Sequence, residues 1–324
     1  MLATVYFDRS IDDALARAIG AGGSLSWLMD HVRSDEGRKR HAHVQFRRDR
    51  GARRYGSIQL YWGRTSPLEF RLRRGRQVLL SADRSYKAAS AQLFAEPLGI
   101  DQLAAREEEL RAHLERVRKL LAESPQRRQA FVKHEAVCHA GLMRRYGHCW
   151  RLGDPLVLID SEAQIGYDGR GRRAAADAEI RQQLRLGDLA TIPRKLDALG
   201  VLPTGDLALM EVKDAKGSIE RAIVQAAAHL VRFSHLMARG ILRDSIQTMT
   251  DQKITAGVVP RGCPRLGAAP RVVPCIAAPV APAGWPESWN QAIGKCDLEP
   301  RRLLSRLRLI RLDSGGRILD VRSR

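Results

Sequence analysis

The sequence has few aromatic residues, no long apolar run and no cysteine pattern, and each absence excludes a class of protein. Aromatic residues make up 5% of the 324 residues, which argues against an RNA-binding platform built mainly on stacked rings. No stretch approaches the roughly 20 apolar residues of a membrane span, and Asp8 interrupts the start too early for a signal peptide. Five scattered cysteines include no Cys-x-x-Cys pair, which argues against a disulfide framework. We therefore expect a cytoplasmic protein without a membrane partner.

Several common catalytic motifs are missing as well. The chain contains no P-loop, no Gly-x-Gly-x-x-Gly and no Gly-x-Ser-x-Gly. NTPase, dinucleotide-binding and serine-hydrolase functions therefore have no support. Any step powered by ATP would need a protein partner with an NTPase or sensor role.

Positive charge is what the sequence has in excess. Lys and Arg number 55 against 36 Asp and Glu, which gives a net charge of +19. Such an excess predicts a polyanionic partner. Hydrophobic residues make up 44% of the chain, so one large or two modest folded domains are expected.

The positive charge is concentrated between residues 38 and 76. This segment holds thirteen basic and two acidic residues, and all but one of the basic residues are arginine. Arginine grips phosphate oxygens with a planar fork and keeps its charge when partly desolvated. Tyr55, Tyr61 and Trp62 lie among these arginines and are candidates for stacking on an unpaired base. The candidate nucleic-acid-binding residues are Arg38, Lys39, Arg40, Arg47, Arg48, Arg50, Arg53, Arg54, Arg71, Arg73, Arg74 and Arg76.

Hydrophobic periodicity predicts an α/β protein with three parts. Residues 1–95 form a smaller N-terminal α+β domain, residues 96–128 a connecting helix and hinge, and residues 129–324 a second domain. Helices are predicted over 11–19, 101–123, 129–146 and 218–240, and a Gly- and Arg-rich loop over 168–173. Strands are predicted over 57–62, 68–72, 77–80, 155–165, 192–202, 207–213, 254–259, 272–277, 307–311 and 318–321.

Two apolar segments of the second domain carry charges where core strands usually have none. In the strand over 192–202, Asp197 shares a face with apolar residues, and in the strand over 207–213, Glu211 and Lys213 share a face. If the two strands pair as a hairpin, these three charged residues meet at one end of it.

Such a meeting of charges indicates metal chemistry. Two buried carboxylates repel each other, and burying them is costly unless a cation lies between them. Mg²⁺ prefers oxygen ligands, and Lys213 would then orient or help to deprotonate a water molecule. A metal also polarises a phosphoryl oxygen and neutralises developing negative charge. Together these groups suit phosphodiester hydrolysis.

The order Asp, hairpin, Glu-x-Lys and helix resembles the core motif of the PD-(D/E)XK nuclease superfamily. The resemblance covers roughly residues 129–240 and implies a restriction-endonuclease-like fold, in which a mixed central sheet is flanked by helices. It implies that Asp197, Glu211 and the backbone carbonyl of Val212 bind Mg²⁺ or Mn²⁺, and that Lys213 activates water. The sequence departs from the motif in having no proline before Asp197.

Two further catalytic positions follow from the same resemblance. Some members have a glutamine in the helix after the third strand, where this chain has Gln225 beside His229 and Arg232. Many members carry an acidic residue on the preceding helix, for which Glu135 is the candidate and Glu162 the competitor.

These residues also have alternative, purely structural interpretations. Asp197, Glu211 and Lys213 would also suit a charge cluster that forms internal salt bridges. Asp206, in Thr-Gly-Asp, is more typical of a turn residue than of a metal ligand. The spacing of the His and Cys residues at 134, 138, 139, 148 and 149 matches no usual structural zinc pattern.

The expected function is that of a metal-dependent endonuclease acting on DNA, with RNA as the alternative substrate. The resemblance is compatible with a restriction-type enzyme in bacterial defence against phages or plasmids, and with DNA repair or transposition. A homodimer is expected because cutting both strands commonly takes two active sites. The alternative from another class is a catalytically dormant, nucleic-acid-binding scaffold of a larger assembly.

Overall fold

The structure is a computed structural model that describes most of the chain. The described residues are 5–7, 9–48, 54–63, 65–123, 134–167, 169–186, 192–213, 219–240, 242–279, 287, 290–291, 294 and 298–323. The predicted hinge within 96–128 and the first residues of the helix predicted over 129–146 lie outside them, as do Arg50 and Arg53.

The described residues form strands and helices in mixed order along the chain. The strands are β1 (Val5–Tyr6), β2 (Ala42–Arg47), β3 (Ser57–Trp62), β4 (Thr65–Leu72), β5 (Gln77–Ser81), β6 (Leu98–Gly99), β7 (Val157–Ala163), β8 (Gly166–Tyr167), β9 (Leu196–Val201), β10 (Leu207–Val212), β11 (Val272–Ala278), β12 (Arg308–Leu312) and β13 (Ile318–Ser323). The α-helices are α1 (Asp13–Ile19), α2 (Trp27–Arg33), α3 (Asp35–Lys39), α4 (Arg84–Lys87), α5 (Glu107–Glu123), α6 (His134–Leu142), α7 (Arg170–Leu184), α8 (Ile219–Ala238), α9 (Arg243–Thr255) and α10 (Leu298–Leu304).

The chain folds into two compact units, and neither is continuous in sequence. The mixed-sheet unit comprises Met1–Phe7, Gly153–Gln247 and Pro264–Arg324. The antiparallel-sheet unit comprises Asp8–Leu152 and Thr248–Cys263. Because helix α9 contains both Gln247 and Thr248, it passes from one unit into the other.

The antiparallel-sheet unit contains a five-stranded meander in the order β2-β3-β4-β5-β6. Side chains alternate across these strands, and one face carries buried apolar residues such as Phe46, Leu60 and Phe70. This face joins the hydrophobic core formed with α1, α2 and α5. The opposite face carries polar side chains, including His43, Gln45 and Glu69, which are also buried.

The mixed-sheet unit contains a six-stranded sheet in the order β13-β12-β11-β10-β9-β7. Strands β7, β9 and β10 pair antiparallel, whereas β10, β11 and β12 run parallel. Strand β10 lies in the interior of the sheet, and all six of its residues are buried. This explains why its sequence is apolar at almost every position.

Helix α8 follows β10 and packs on β10 and β11. Its apolar residues recur at helical spacing, and Ala222, Ile223, Ala226, Leu230 and Phe233 are all buried. Phe233 makes an edge contact with Phe7, with 6.4 Å between ring centroids. Among the described helices, none has the length and apolar composition needed to cross a bilayer.

The predicted α/β class is confirmed, and several predicted elements match closely. Strand β3 has the predicted bounds, and the predicted C-terminal hairpin is present as β12 and β13. Two predictions were wrong. Helix α7 begins within the loop predicted over 168–173, because Arg and Ala favour helix and its first apolar contacts come later, at Ile180 and Leu184. The strand predicted over 254–259 is the end of α9 and the turn after it, where Gly257 has a positive φ of 68°.

The predicted boundary at residue 129 moves to residue 153. The cause is the segment after α6, a π-helical turn over Met143–His148. His148 Nε2 accepts a hydrogen bond from the Val44 N–H at 3.0 Å, and Nδ1 donates to the Val258 carbonyl at 2.8 Å. These two bonds attach the segment to the antiparallel-sheet unit.

Candidate metal centre in the mixed sheet

The candidate site lies where strands β9 and β10 pair as an antiparallel hairpin. The register places Leu209 opposite Leu199 and Met210 opposite Ala198. One step further along the same register, Glu211 faces Asp197. The predicted hairpin is therefore present, and its two carboxylates lie on the same face at one end.

Short contacts join the three predicted charged residues. Lys213 Nζ lies 3.3 Å from Glu211 Oε2 and 3.8 Å from Asp197 Oδ2. The Val212 N–H donates to Asp197 Oδ2 at 2.8 Å, which ties the Asp197 side chain to β10. The site thus brings together Asp197, Glu211, Val212 and Lys213, as the hairpin prediction requires.

Glu211 is the most deeply buried of these charged groups. Its side chain is 1% exposed, against 14% for Lys213 and 30% for Asp197. Burial, and then the neighbouring charge of Asp197, raise the pKa of Glu211 well above its ordinary value of 4.5, although Lys213 acts in the opposite direction. Lys213 therefore offsets the effect of burial and of Asp197 on Glu211 only in part.

Helix α8 places His229 beside Glu211 and carries Gln225 one turn before His229. His229 Nε2 lies 3.4 Å from Glu211 Oε1 and 3.1 Å from the Lys195 carbonyl oxygen. Glu211 Oε1 and Gln225 Oε1 are both buried, and neither accepts a hydrogen bond from the part of the chain that the structure describes. Gln225 thus offers a buried acceptor on the helix that packs over β10.

Strand β7 adds two acidic residues to the neighbourhood of Asp197. Glu162 lies between Ser161, which pairs with Ala198, and Ala163, which pairs with Leu196, so it faces Asp197. Its φ of 49° is left-handed, and Oε2 forms an ion pair with Lys195 Nζ at 3.2 Å. This ion pair and a 45% exposed side chain turn Glu162 toward solvent.

Sequence analysis missed Asp160 on the same strand. Asp160 pairs with Leu199 and is completely buried. Because Leu199 lies two residues from Asp197, Asp160 shares a sheet face with Asp197. An aspartate within the apolar run of β7 was the signal that could have identified it.

Asp206 is confirmed as a turn residue. It accepts hydrogen bonds from the Arg271 N–H at 3.0 Å and from Arg271 Nη2 at 2.6 Å. Partial burial acts to raise the pKa of Asp206, but the bonds from Arg271 outweigh it and lower that pKa. Asp206 precedes β10 and Glu211 is near its end, so Asp206 lies at the opposite end of the strand.

Glu135 belongs to the other compact unit. It lies in helix α6 of the antiparallel-sheet unit, and its side chain is outside the described part of the chain. Within the described residues, no group of three or more His, Cys, Asp or Glu side chains is arranged to hold a metal.

The residues at the hairpin end nevertheless fit a magnesium-like ion. Asp197 and Glu211 supply two carboxylates, and the Val212 carbonyl is a further oxygen donor. Mg²⁺ is commonly bound by one or two protein carboxylates, with water and substrate phosphates completing its shell. Glu211 Oε1 is buried and accepts no hydrogen bond from the described residues, so it would serve as a ligand of such an ion.

The candidate nucleic-acid-binding residues fall into two groups in the antiparallel-sheet unit. Four of them are buried or half-buried and have partners within the unit. Arg71 binds Glu69 at 2.8 Å, Arg47 lies over the Tyr61 ring, Arg40 binds Glu36 at 2.9 Å, and Arg48 donates to the Arg54 carbonyl at 3.1 Å. The exposed group consists of Arg38, Lys39, Arg54, Arg73, Arg74 and Arg76.

The predicted aromatic stacking on bases needs correction. Trp62 is buried, and its indole N–H donates to His31 Nε2 at 3.2 Å. Tyr61 is stacked on His43 with 5.1 Å between centroids. Tyr55 lies under the Arg54 guanidinium at 4.6 Å. All three rings already have neighbours within the unit.

Comparison with known protein families, with curated proteins and with solved structures finds no match for this chain.

Proposed function

We propose that the chain is a metal-dependent endonuclease that hydrolyses phosphodiester bonds of DNA. The observation that carries the proposal is the meeting of Asp197 and Glu211 on paired strands, with Lys213 Nζ within 3.8 Å of both carboxylates. The order of β7, β9, β10, α8 and β11 supports a restriction-endonuclease-like core. Defence of a bacterial cell against foreign DNA is the use that we favour.

Each residue of the site has a distinct part in this chemistry. Asp197, Glu211 and the Val212 carbonyl would hold Mg²⁺ or Mn²⁺, which when bound neutralises phosphoryl charge and makes water more acidic. Hydrolysis joins a water oxygen to phosphorus and breaks one P–O ester bond. Lys213 Nζ, fixed between the carboxylates, is placed to orient that water and to hold positive charge beside the phosphate.

Helix α8 closes the site on its buried side. Gln225 Oε1 and Glu211 Oε1 are acceptors that the described residues leave without a donor. We assign Gln225 to hydrogen bonding with water or the phosphate group. Of the two acidic candidates from the sequence, Glu162 belongs to the same unit as Asp197, but its side chain pairs with Lys195.

The exposed basic residues of the antiparallel-sheet unit support DNA as the substrate. Arg73, Arg74 and Arg76 lie at the turn between β4 and β5 and are all exposed. Arg38 and Lys39 are exposed at the end of α3. Contacts of this kind read phosphate rather than sequence, so binding should weaken steeply with salt.

A cleavage assay tests the proposal. The purified protein is incubated with plasmid, linear duplex, single-stranded DNA and RNA in Mg²⁺, Mn²⁺ or EDTA. We expect metal-dependent cleavage that Asp197→Asn and Lys213→Ala each reduce by about a hundredfold or more. The matched control is Asp320→Asn on β13, whose partner is Arg322 at 2.7 Å.

The same assay separates the alternatives. Cleavage of RNA alone would reassign the substrate. Salt-sensitive DNA binding that survives both substitutions, without cleavage in any metal, would favour a dormant scaffold. Cleavage that persists in both variants would contradict the assignment of the site.

A further inference from the structure

Helix α8 contacts the segment just before the strand that carries Asp197, at two backbone carbonyls. His229 Nε2 lies 3.1 Å from the Lys195 oxygen. Arg232 Nη1 donates to the Pro193 oxygen at 2.8 Å. The two carbonyls are two residues apart, and the nearer one is two residues before Asp197. His229 and Arg232 of α8 thus hold the segment that leads into β9.

The side chains of His229 and Arg232 are both buried, and each contacts more than one partner. The side chain of His229 is 1% exposed and that of Arg232 is 6% exposed. Arg232 Nη2 pairs with Asp177 Oδ1 on α7 at 2.9 Å, which neutralises its charge. An arrangement of buried, paired donors is costly to disturb, so the position of Lys195 relative to α8 is well defined.

His229 also approaches the second strand of the site. Its Nε2 lies 3.4 Å from Glu211 Oε1. Both neighbours of Nε2 are oxygen acceptors, so Nε2 carries the hydrogen. Nδ1 is buried and has no hydrogen-bond partner among the described residues. The ring is therefore neutral, with one donor directed between β9 and β10.

We propose that His229 is a positioning residue of the metal centre, which sets the spacing of Asp197 and Glu211 from helix α8. This inference rests on the proposed function. The neutral ring holds the Lys195 carbonyl and presents an N–H edge to Glu211 without adding a positive charge that would compete with a cation.

Metal affinity tests this inference without reference to cleavage. Mn²⁺ binding to the full chain is measured by calorimetry for the wild type, His229→Phe, His229→Gln and His235→Phe. His229→Phe keeps the bulk and removes the donor, whereas the glutamine amide can place an N–H where Nε2 was. His235 is an exposed histidine on the same helix and is the matched control.

We expect His229→Phe to weaken Mn²⁺ binding by about 10- to 100-fold and His229→Gln to restore most of it, as for other residues that orient metal ligands. His235→Phe should bind as the wild type does. If His229→Phe does not fold, His229→Asn replaces it, since its shorter amide cannot reach both strands. Unchanged Mn²⁺ affinity in the folded Phe or Asn variant would overturn the positioning role.

The outcomes distinguish the two proposals. If the wild type binds Mn²⁺ and Asp197→Asn abolishes binding, the metal centre stands, and the His229 variants decide the inference alone. If the wild type binds no Mn²⁺, the proposed function is contradicted and the positioning role is overturned with it.

Discussion

Two sheets in this chain bury charged side chains, and they balance the charge differently. In the antiparallel-sheet unit, Glu69 and Arg71 lie on one face and bind each other at 2.8 Å. In the mixed-sheet unit, Glu211 is buried beside Asp197, with Lys213 as the nearby ammonium. A balanced buried pair has a structural explanation within the fold. We propose that a metal cation balances the two carboxylates of the mixed-sheet unit.

The largest expected effect is on the balanced pair. Arg71→Ala leaves Glu69 buried with its main ion pair removed, so the free energy of unfolding should fall by about 3 kcal/mol. The control Arg74→Ala lies at the exposed turn after β4 and should change stability by less than about 0.5 kcal/mol. Urea unfolding measures both variants. Equal stabilities for the two would show that the Glu69–Arg71 pair is not structural.

Acidification should change the stability contributions of His148 and Glu211, one in each unit, in opposite directions. Burial lowers the pKa of His148 to about 4 from its ordinary value of 6.5. The unfolded chain therefore takes up this proton at a higher pH than the folded chain does. The stability contributed by His148 is lost as pH falls from 6.5 toward 4, at up to about 1.4 kcal/mol per pH unit.

Urea unfolding of wild type and His148→Gln between pH 7.5 and 5 isolates this contribution. The variant should be less stable at pH 7.5, because it loses bonds to Val44 and Val258, and its stability should fall less on acidification. Parallel pH profiles for the two proteins would refute the assignment to His148.

In EDTA, the contribution of Glu211 to stability should depend on pH in the opposite sense to that of His148. Because burial and Asp197 raise its folded-state pKa above 4.5, the folded chain binds this proton more tightly than the unfolded chain does. Wild-type stability should therefore fall as pH rises from about 4.5 through the raised pKa, and stay low above it. Glu211→Gln should lack this decrease. A wild type that gains stability relative to the variant over that range would contradict the account.

The exposed arginines should give the smallest effects, confined to binding. Replacing Arg74 and Arg76 together with glutamine should leave stability unchanged, and should lower the salt dependence of DNA binding by about one unit of slope per lost phosphate contact. Fluorescence anisotropy at several salt concentrations measures this slope. An unchanged slope would place the DNA-binding surface elsewhere.

The hairpin geometry of the candidate site was predictable because it depends on local rules. Alternation along two strands and a short turn suffice to bring Asp197 and Glu211 together. Asp160 escaped prediction because its face depends on the irregular register of β7 against β9, where pairing shifts between Leu158 and Asp160. A β-bulge of this kind leaves little trace in the sequence.

Predictions that depended on tertiary packing were less accurate than the prediction of the hairpin. Arg47 and Arg71 look like phosphate-binding residues in the sequence, but Tyr61 on the neighbouring strand and Glu69 on the same strand hold them within the sheet. The boundary near residue 129 failed because His148 bonds to Val44 and Val258, more than 100 positions away in either direction. Changes in amino-acid composition along the chain reveal neither the contacts within the sheet nor the long-range hydrogen bonds of His148.

We propose that the fold holds the buried Glu211 beside the half-buried Asp197 in order to bind a metal ion. The most direct measurement is the melting temperature of wild type and Glu211→Gln at pH 8, in EDTA and in Mn²⁺. In EDTA, removing one of two repelling charges should raise the melting temperature by about 3 °C. Mn²⁺ should raise the melting temperature of the wild type and not that of the variant. A variant that melts lower than the wild type in EDTA, and that Mn²⁺ stabilises equally, would contradict the account.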